Sequence, residues 1–457
     1  MEKAKILTKS PGKSLLSGGY LILDKSKRGL VINIDAYITC ESIIEYRDKA
    51  QNKQDKNNLI FNITSEYLNQ TFNYITSIEK IKNNNDEITE ELKIIELNDK
   101  NNKWIKNCII SGLFLYLIQY ENSKNILFNK NNEIEINIII KSDYQFYSYS
   151  KENCSKNIKT GLGSSSALIT SLTTNLILAF EFIYNNKKYK ENIGVKDFDD
   201  MNIKSIILGS CLLSNNLSQN KIGSCFDIIS CLFGNQIFIQ TQKNIFLNSP
   251  FYFNSKNKRI INDIILYLKD KYIPNISFLN SDNHFLKCNI SFISIEMGSD
   301  TRIFVKKVLE YANTKKNKDL YDDELFSKLN DFNEQIINLF TNNINNNELL
   351  KELCKNYRII LQKISKESKI DIEPEILTPL LDKLIQNKNI IYSICPGAGG
   401  YDSIVIIGDD NIKKNEFIKE INNIIEEFNI NNKSKGIDIN ANLLNVNIAK
   451  KSGTILY

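Results

Sequence analysis

Lys159-Thr160-Gly161-Leu162-Gly163-Ser164-Ser165-Ser166-Ala167-Leu168 decides how this chain is read. Two glycines flank a leucine, three serines follow, and a long apolar segment begins. Leu168, Leu172, Leu176 and Phe180 recur at every fourth position with Ile169 and Ile177 beside them, which predicts a buried amphipathic helix. The glycines and serines then occupy the turn that opens it. Glycine lets backbone approach a ligand closely, and serine supplies both an N-cap and a free hydroxyl. A helix N-terminus presents unpaired N–H groups and positive dipole, so it suits an anion, most often phosphate. Taken alone, the turn reads equally well as the start of a capped helix with no ligand.

The chain has 457 residues, enough for two or three domains and a large core. Its net charge of +5, from 58 basic and 53 acidic residues, carries no strong field that would mark a nucleic-acid partner. The apolar run Ile109 to Ile118 is too short for a bilayer, so no membrane partner is expected. The start, Met1 to Leu7, lacks the apolar core of a signal peptide. Nine cysteines without paired spacing point to reduced thiols and a cytoplasmic protein. Cys211, Cys225 and Cys231 fit no zinc pattern and read as packing residues. The single histidine, His284, stands in a polar connecting stretch and is expected at the surface. That leaves Asp, Glu and Lys for any acid–base or electrostatic chemistry, with a hard cation held by oxygen ligands.

Asn- and Lys-rich stretches at Ala50 to Asn58, Lys82 to Lys103, Asn122 to Glu133 and Thr341 to Glu348 read as surface loops. Between them the order is mixed. Strand character appears at Gly29 to Tyr46 and Ile134 to Lys141, with a helix over Lys103 to Tyr120. A second apolar helix spans Ile203 to Leu217, and a strand follows at Asn235 to Gln240. After a fresh strand at Asn289 to Met297, helices run from Arg302 to Ser368 with breaks, and another lies near Ile376 to Asn387. The end reads as strand (Ile390 to Ile394), glycine loop, strand (Ser403 to Ile407), helix (Ile412 to Phe428) and strand near Ile437 to Val446. This is an α+β chain with a boundary near residues 275 to 290.

Three more segments carry small residues beside charge. Ser10-Pro11-Gly12-Lys13-Ser14 continues through Leu15-Leu16-Ser17-Gly18-Gly19-Tyr20. Gly12-Lys13-Ser14 could end a P-loop, but that motif needs glycine where Leu7 stands. Gln219 to Asp227 again combines small residues with a lysine, Lys221, and an aspartate, Asp227. Cys395-Pro396-Gly397-Ala398-Gly399-Gly400-Tyr401-Asp402 lies between two short strands, where three glycines require positive φ or a close approach.

In this order the four segments resemble the GHMP kinase superfamily, and within it the eukaryotic, fungal and plant type of phosphomevalonate kinase. Leu15 to Asp24, Asp143 to Ser148, Gly298 to Val308 and Ile372-Glu373-Pro374-Glu375 with Leu380-Leu381-Asp382 extend the resemblance along nearly the whole chain. It implies a two-domain GHMP architecture. An N-terminal domain resembling ribosomal protein S5 domain 2 would span 1–285, and a ferredoxin-like α/β sandwich 286–457. The implied activity is phosphoryl transfer from ATP to mevalonate 5-phosphate in the mevalonate pathway of isoprenoid and sterol biosynthesis, with Mg²⁺ as cofactor. Mevalonate kinase, diphosphomevalonate decarboxylase and an inactive metabolite sensor are the alternatives. The partners are then small molecules, and the sequence leaves the oligomeric state open.

Residue by residue, the resemblance implies that Lys13, Asp227 and Lys221 are catalytic. Lys159, Gly161, Leu162, Gly163, Ser164, Ser165 and Ser166 would bind ATP, and Ser164 or Ser165 would also ligate Mg²⁺. Lys13, Tyr147, Ser148 and Gly399 would contact the acceptor. Asp227 could instead serve only as a helix N-cap. The chain departs from the family pattern at several positions. Asn220 and Cys225 replace glycines, Ser166 an alanine, and Asn215 a histidine; Tyr144 and Gln145 stand where Asn and Asp are usual.

Overall fold

The computed structural model describes residues 4–48, 58–82, 88–98, 102–128, 132–149, 157–187, 189–220, 223–240, 251–297, 301–314 and 323–457. Two long strands, β1 (Ala4–Ser17) and β2 (Arg28–Asp48), pair antiparallel and form the spine of the first sheet. β3 (Leu59–Ser65), β4 (Gln70–Lys82) and β5 (Ile88–Glu96) extend it beyond β6 (Asn132–Ser142), which lies between β2 and β3. β3 shows why: Leu59, Phe61 and Ile63 are buried on one face while Ile60, Asn62 and Thr64 between them are half-buried, the period of a strand. A short hairpin, β7 (Tyr147–Tyr149) with β8 (Asn157–Lys159), stands apart from the sheet.

The helices α1 (Lys103–Gln119), α3 (Ser164–Asn185), α4 (Met201–Gln219) and α5 (Phe226–Phe233) pack with this sheet, after the one-turn α2 (Lys124–Leu127). α3 lies against β1 and β2 on one side and against α1, α4 and α5 on others. It is therefore buried nearly all round, and not on one stripe as its leucine spacing predicts. Its polar residues are matched to that position. Thr8 Oγ1 donates to Ser171 O (2.9 Å), and Asn175 Nδ2 donates to Ile6 O (3.0 Å) and Cys40 O (3.1 Å). Among the described residues α3 is the one helix long and apolar enough to cross a bilayer, and 94% of that window is buried inside the protein. Interspersed Ser and Thr hide this length from a search for an unbroken apolar run.

Four short strands complete the first sheet: β9 (Ile193–Gly194), β10 (Gln236–Ile239), β11 (Phe251–Tyr252) and β12 (Ser277–Phe278). After α6 (Ser255–Tyr267) and the one-turn α7 (His284–Lys287), a second, antiparallel sheet begins with β13 (Ile290–Ile295). Its partners are β14 (Ile390–Ile394), β15 (Ser403–Gly408) and β16 (Ala441–Leu444), in the order β14-β15-β13-β16. Its helices are α8 (Thr301–Thr314), α9 (Glu324–Thr341), α10 (Asn347–Ser368), α11 (Thr378–Gln386) and α12 (Lys414–Ser434). The chain then returns to the first sheet, where β17 (Ile455–Leu456) pairs with β1 and β9.

Buried polar contacts join the two halves around the turn after β1. Ser17 Oγ donates to Asn333 Oδ1 (2.6 Å), Gly18 N to the Tyr357 hydroxyl (3.1 Å), and Tyr392 OH to Leu16 O (2.5 Å). Arg28 pairs with Glu334 nearby.

Several elements differ from expectation. Lys82 to Lys103 is not one loop, because β5 lies inside it and pairs with β4 over nine positions from Tyr74↔Glu96 to Lys82↔Ile88. The last predicted strand shrinks to Ala441–Leu444, and β17 has no counterpart in the prediction. His284 is not a surface residue: it opens α7 half-buried, edge-on to Phe285, with Nδ1 3.7 Å from Asp410. The eight described cysteines, Cys211, Cys225 and Cys231 among them, are buried and form no disulfide with one another.

Candidate active site

The glycine turn opens α3 through backbone geometry that only glycine adopts cheaply. Gly161 and Gly163 have φ of 75° and 84°, and Gly163, not a serine, is the N-cap, with no side-chain cap. Ser166 Oγ is turned back to donate to Gly163 O (2.7 Å), so its hydroxyl serves the turn. The first N–H groups of α3, on Ser164, Ser165 and Ser166, therefore have no intrahelical acceptor and sit at the positive end of a 22-residue helix. An anion is what such an end attracts.

β1 runs directly over this turn. A bulge places Pro11 opposite Tyr37 and Gly12 opposite Ile34, so β2 carries the extra residues Asp35 and Ala36. Next to the bulge, Lys13 N donates to Leu162 O (2.8 Å), while the Leu162 side chain is buried in the core. The strand comes so close that a Cβ on Gly12 would lie 2.9 Å from Leu162 O. The Lys13 stem lies flat on Gly163, where an added Cβ would meet Cε at 2.8 Å and Cγ at 3.1 Å. Its Nζ donates to Gly161 O (3.5 Å) and faces the Phe226 ring, 5.1 Å from the centroid. Among the described residues no carboxylate is within ion-pair distance of it.

α5 delivers Asp227 to the same place. Its N-cap is Cys225, so Asp227 is not the cap but a residue of the first helical turn; its Oδ1 accepts from Ile228 N (3.0 Å). Cys225 holds φ of 57° and Asn220 52°, so both departures from glycine keep a left-handed backbone. A further departure meets Cys225 here: Asn215 Nδ2 donates to Cys225 Sγ (3.5 Å). Burial pushes the Cys231 thiol up to about 12; its contact with Ser166 opposes this, Asp227 adds to the rise, and Lys13 opposes it. Cys231 thus feels both charges from beneath the site.

The hairpin adds a second cation. Lys159 of β8 stands opposite Tyr147 of β7 and donates through Nζ to Ser165 Oγ (3.0 Å). Much of its stem is exposed, but loss of water around the ammonium lowers its pKa from the ordinary lysine value. Burial pushes the Tyr147 hydroxyl above the ordinary tyrosine value, which Ser142 and Ser164 oppose, and the ring stacks on Tyr67 at 3.9 Å between centroids. Ser148 lies in β7 with its side chain outside the described residues, and Lys221 lies outside them entirely.

The late glycine loop reaches the turn through Asp402, whose Cβ would be 3.1 Å from a Cβ on Gly161. Gly397, Gly399 and Gly400 all have positive φ. Gly399 itself is pressed on Ile372, whose carbonyl oxygen would lie 2.0 Å from an added Cβ and accepts from Gly400 N (2.9 Å). Its need for glycine is therefore met by packing. Ile372 is held in turn by the buried pair of Arg358 with Glu373, at 2.7 Å.

Asn33 was not legible as a site residue. Fully buried in β2, it donates to Gly12 O (3.3 Å) and Ser230 O (3.2 Å) and accepts from Gly453 N (2.8 Å), tying the Lys13 bulge to the helix of Asp227. One polar residue among Val31, Ile32 and Ile34 was the available signal. Phe226 was missed as well.

No family model matches the chain. It is 24% identical to the phosphomevalonate kinase of Aspergillus fumigatus, covering 88% of this chain and 87% of that one. With the peroxisomal phosphomevalonate kinase of Arabidopsis thaliana it shares 23% identity over 89% and 91% of the two chains. The Streptococcus pneumoniae phosphomevalonate kinase solved with phosphomevalonate and AMPPNP superposes with a TM-score of 0.54 at 13% identity, over 98% of this chain and 100% of that one. In fold the chain resembles that solved phosphomevalonate kinase, and in sequence along most of its length it is similar to fungal and plant phosphomevalonate kinases.

Proposed function

We propose that this chain is a phosphomevalonate kinase, transferring the γ-phosphoryl group of ATP to the phosphate of mevalonate 5-phosphate and releasing ADP. One observation carries the reading: Lys13, with no carboxylate within ion-pair distance among the described residues, is laid across the N-terminus of α3 and faces Phe226, the residue before Asp227. The acceptor's second pKa is about 6, so at neutral pH its oxygen is already an anion and little proton abstraction is required. The larger task is to bring two polyanions together, which calls for fixed cations and donors.

In this reading the N–H groups from Gly161 to Ser166 hold the ATP phosphates. Lys13 bridges donor and acceptor phosphates, and Lys159 neutralises charge at the rim, with Lys221 proposed to assist. Asp227 takes the remaining proton when the acceptor arrives as its monoanion. Tyr147 and Ser148 are the candidates for the rest of the acceptor, whereas Gly399 shapes the wall through its packing.

The residues fit a Mg²⁺ ion that arrives with the nucleotide. No group of three His, Cys, Asp or Glu side chains among the described residues could hold a metal without it. Ser164 and Ser165 offer hydroxyls at the helix start, of which Ser165 is engaged by Lys159. One serine with water and phosphate oxygens suits Mg²⁺, which would offset phosphate charge. The first sheet with its helices corresponds in this reading to the S5-like domain, and the second sheet to the ferredoxin-like one. Buried reduced thiols suit a cytosolic setting, and the product would feed isoprenoid and sterol synthesis.

The test is ADP release by the purified chain with ATP, Mg²⁺ and, separately, mevalonate, mevalonate 5-phosphate and mevalonate 5-diphosphate. Turnover with mevalonate 5-phosphate alone is expected. Turnover with either other acid instead would replace this reading with that of the corresponding superfamily enzyme.

A further inference from the structure

Lys13 has a firm stem and a loosely tethered head. Gly163 fixes Cγ and Cε from below, but among the described residues the ammonium makes a single long hydrogen bond, 3.5 Å to Gly161 O. A lysine head on a flexible stem is a mobile point charge unless something holds it. The group positioned to do so is Phe226, whose ring centroid is 5.1 Å from Nζ. The ring is itself braced edge-on against Phe238 of β10, with centroids 6.1 Å apart and planes at 69°. Phe226 also opens α5, one residue before Asp227, so the brace and the aspartate move as one body.

We propose that Phe226 is a positioning residue, holding the Lys13 ammonium by a cation–π contact that aims it at the phosphates. An aromatic face attracts a cation through its quadrupole and carries no net charge. A carboxylate in the same place would hold the lysine more tightly, but it would cancel the charge and repel incoming phosphate. The ring leaves the outward side of the cation fully attractive to a polyanion. This inference rests on Lys13 being the phosphate-facing cation of the kinase reading.

The experiment replaces Phe226 in the full chain with 4-fluoro-, 3,5-difluoro- and 3,4,5-trifluorophenylalanine, which keep the ring's shape while draining its face. kcat/KM for ADP release with mevalonate 5-phosphate should fall stepwise, by about three- to tenfold across the series. Phe226→Leu should fall at least as far, and in a Lys13→Ala background fluorination should change nothing further. A purely structural role for the ring predicts no dependence on fluorination, so a flat series in an active enzyme overturns the proposal and leaves the kinase reading standing. If the wild-type chain releases no ADP with this acceptor, the kinase reading fails by itself. The clamp is then decided by NMR of the Lys13 ε-methylene protons, assigned by their absence in Lys13→Ala. An upfield ring-current shift lost in Phe226→Leu supports the contact, and a shift unchanged by that substitution refutes it.

Discussion

Replacing Gly163 by alanine separates what the glycine turn does for stability from what it does for chemistry. Gly163 has φ of +84°, and a left-handed backbone costs an L-residue about 1–2 kcal/mol. The added Cβ would also sit 2.8 Å from Lys13 Cε and 3.0 Å from Ser166 Oγ. Carbon atoms rest about 3.5–4.0 Å apart, so the lysine must retreat by roughly 0.7–1.2 Å. A displacement of that size at a reacting centre costs about a hundredfold in rate. Gly163→Ala should therefore unfold only a few degrees earlier, yet lose about two orders of magnitude in kcat. Gly436→Ala is the control, since Gly436 has φ of +71° with nothing within 4 Å of an added Cβ. It should show a similar loss of stability with kcat retained. Thermal unfolding and a coupled ADP-release assay on both variants make the comparison. If folded Gly163→Ala keeps kcat within about threefold of wild type, Lys13 does not need its seat on the glycine, and the proposed bridge is wrong.

Above the acceptor's second pKa, Asp227→Asn should cost less than about tenfold in kcat while Lys13→Ala costs about 10²–10³-fold; a larger loss for Asp227→Asn throughout that range would contradict a pre-ionised acceptor. Because desolvation lowers the pKa of Lys159, its cationic form is lost at lower pH than that of a free lysine. The alkaline limb of kcat/KM should accordingly fall below about 10.4 and move upward in Lys159→Arg, and an unmoved limb would show that another group sets it. Arg358→Met leaves the Glu373 carboxylate buried and without its arginine, which should cost about 3–5 kcal/mol in denaturant unfolding. A loss under about 1 kcal/mol would show that the pair does not brace the glycine loop.

What could be read from sequence was whatever repeats or uses rare residue types. The period of four from Leu168 to Phe180 located α3, and the glycines located its N-terminal turn. The same period misjudged how many sides of the helix are covered, because Ser171 and Asn175 find buried partners on β1 and β2 that sequence spacing does not reveal. β5 was lost in a stretch whose Asn and Lys content resembles a loop, and its burial does not follow the period of two that marks a strand, since the neighbours Glu91 and Leu92 are both buried. Lys13 drew attention through Pro-Gly-Lys. Its aim depends on the bulge opposite Asp35 and Ala36 and on a ring more than two hundred positions away. Cys225 stands before Asp227 where the family pattern has glycine, and its left-handed φ keeps a glycine-like backbone there, at the cost that a non-glycine residue bears.

The pairing of β17 with β1 sets the order in which the site can come into being. Thr8 and Lys9 find their second-side partners in Leu456 and Ile455, so synthesis from the N-terminus leaves the strand carrying Lys13 as an open edge for nearly its whole course. Contacts of such sequence separation form late and slowly, and an unpaired edge is exposed to other chains meanwhile. A polypeptide cut short of Ile455 would carry Lys13 on an unfinished sheet. The sheet that carries Lys13 is in this way completed only when the chain has been made through to that strand.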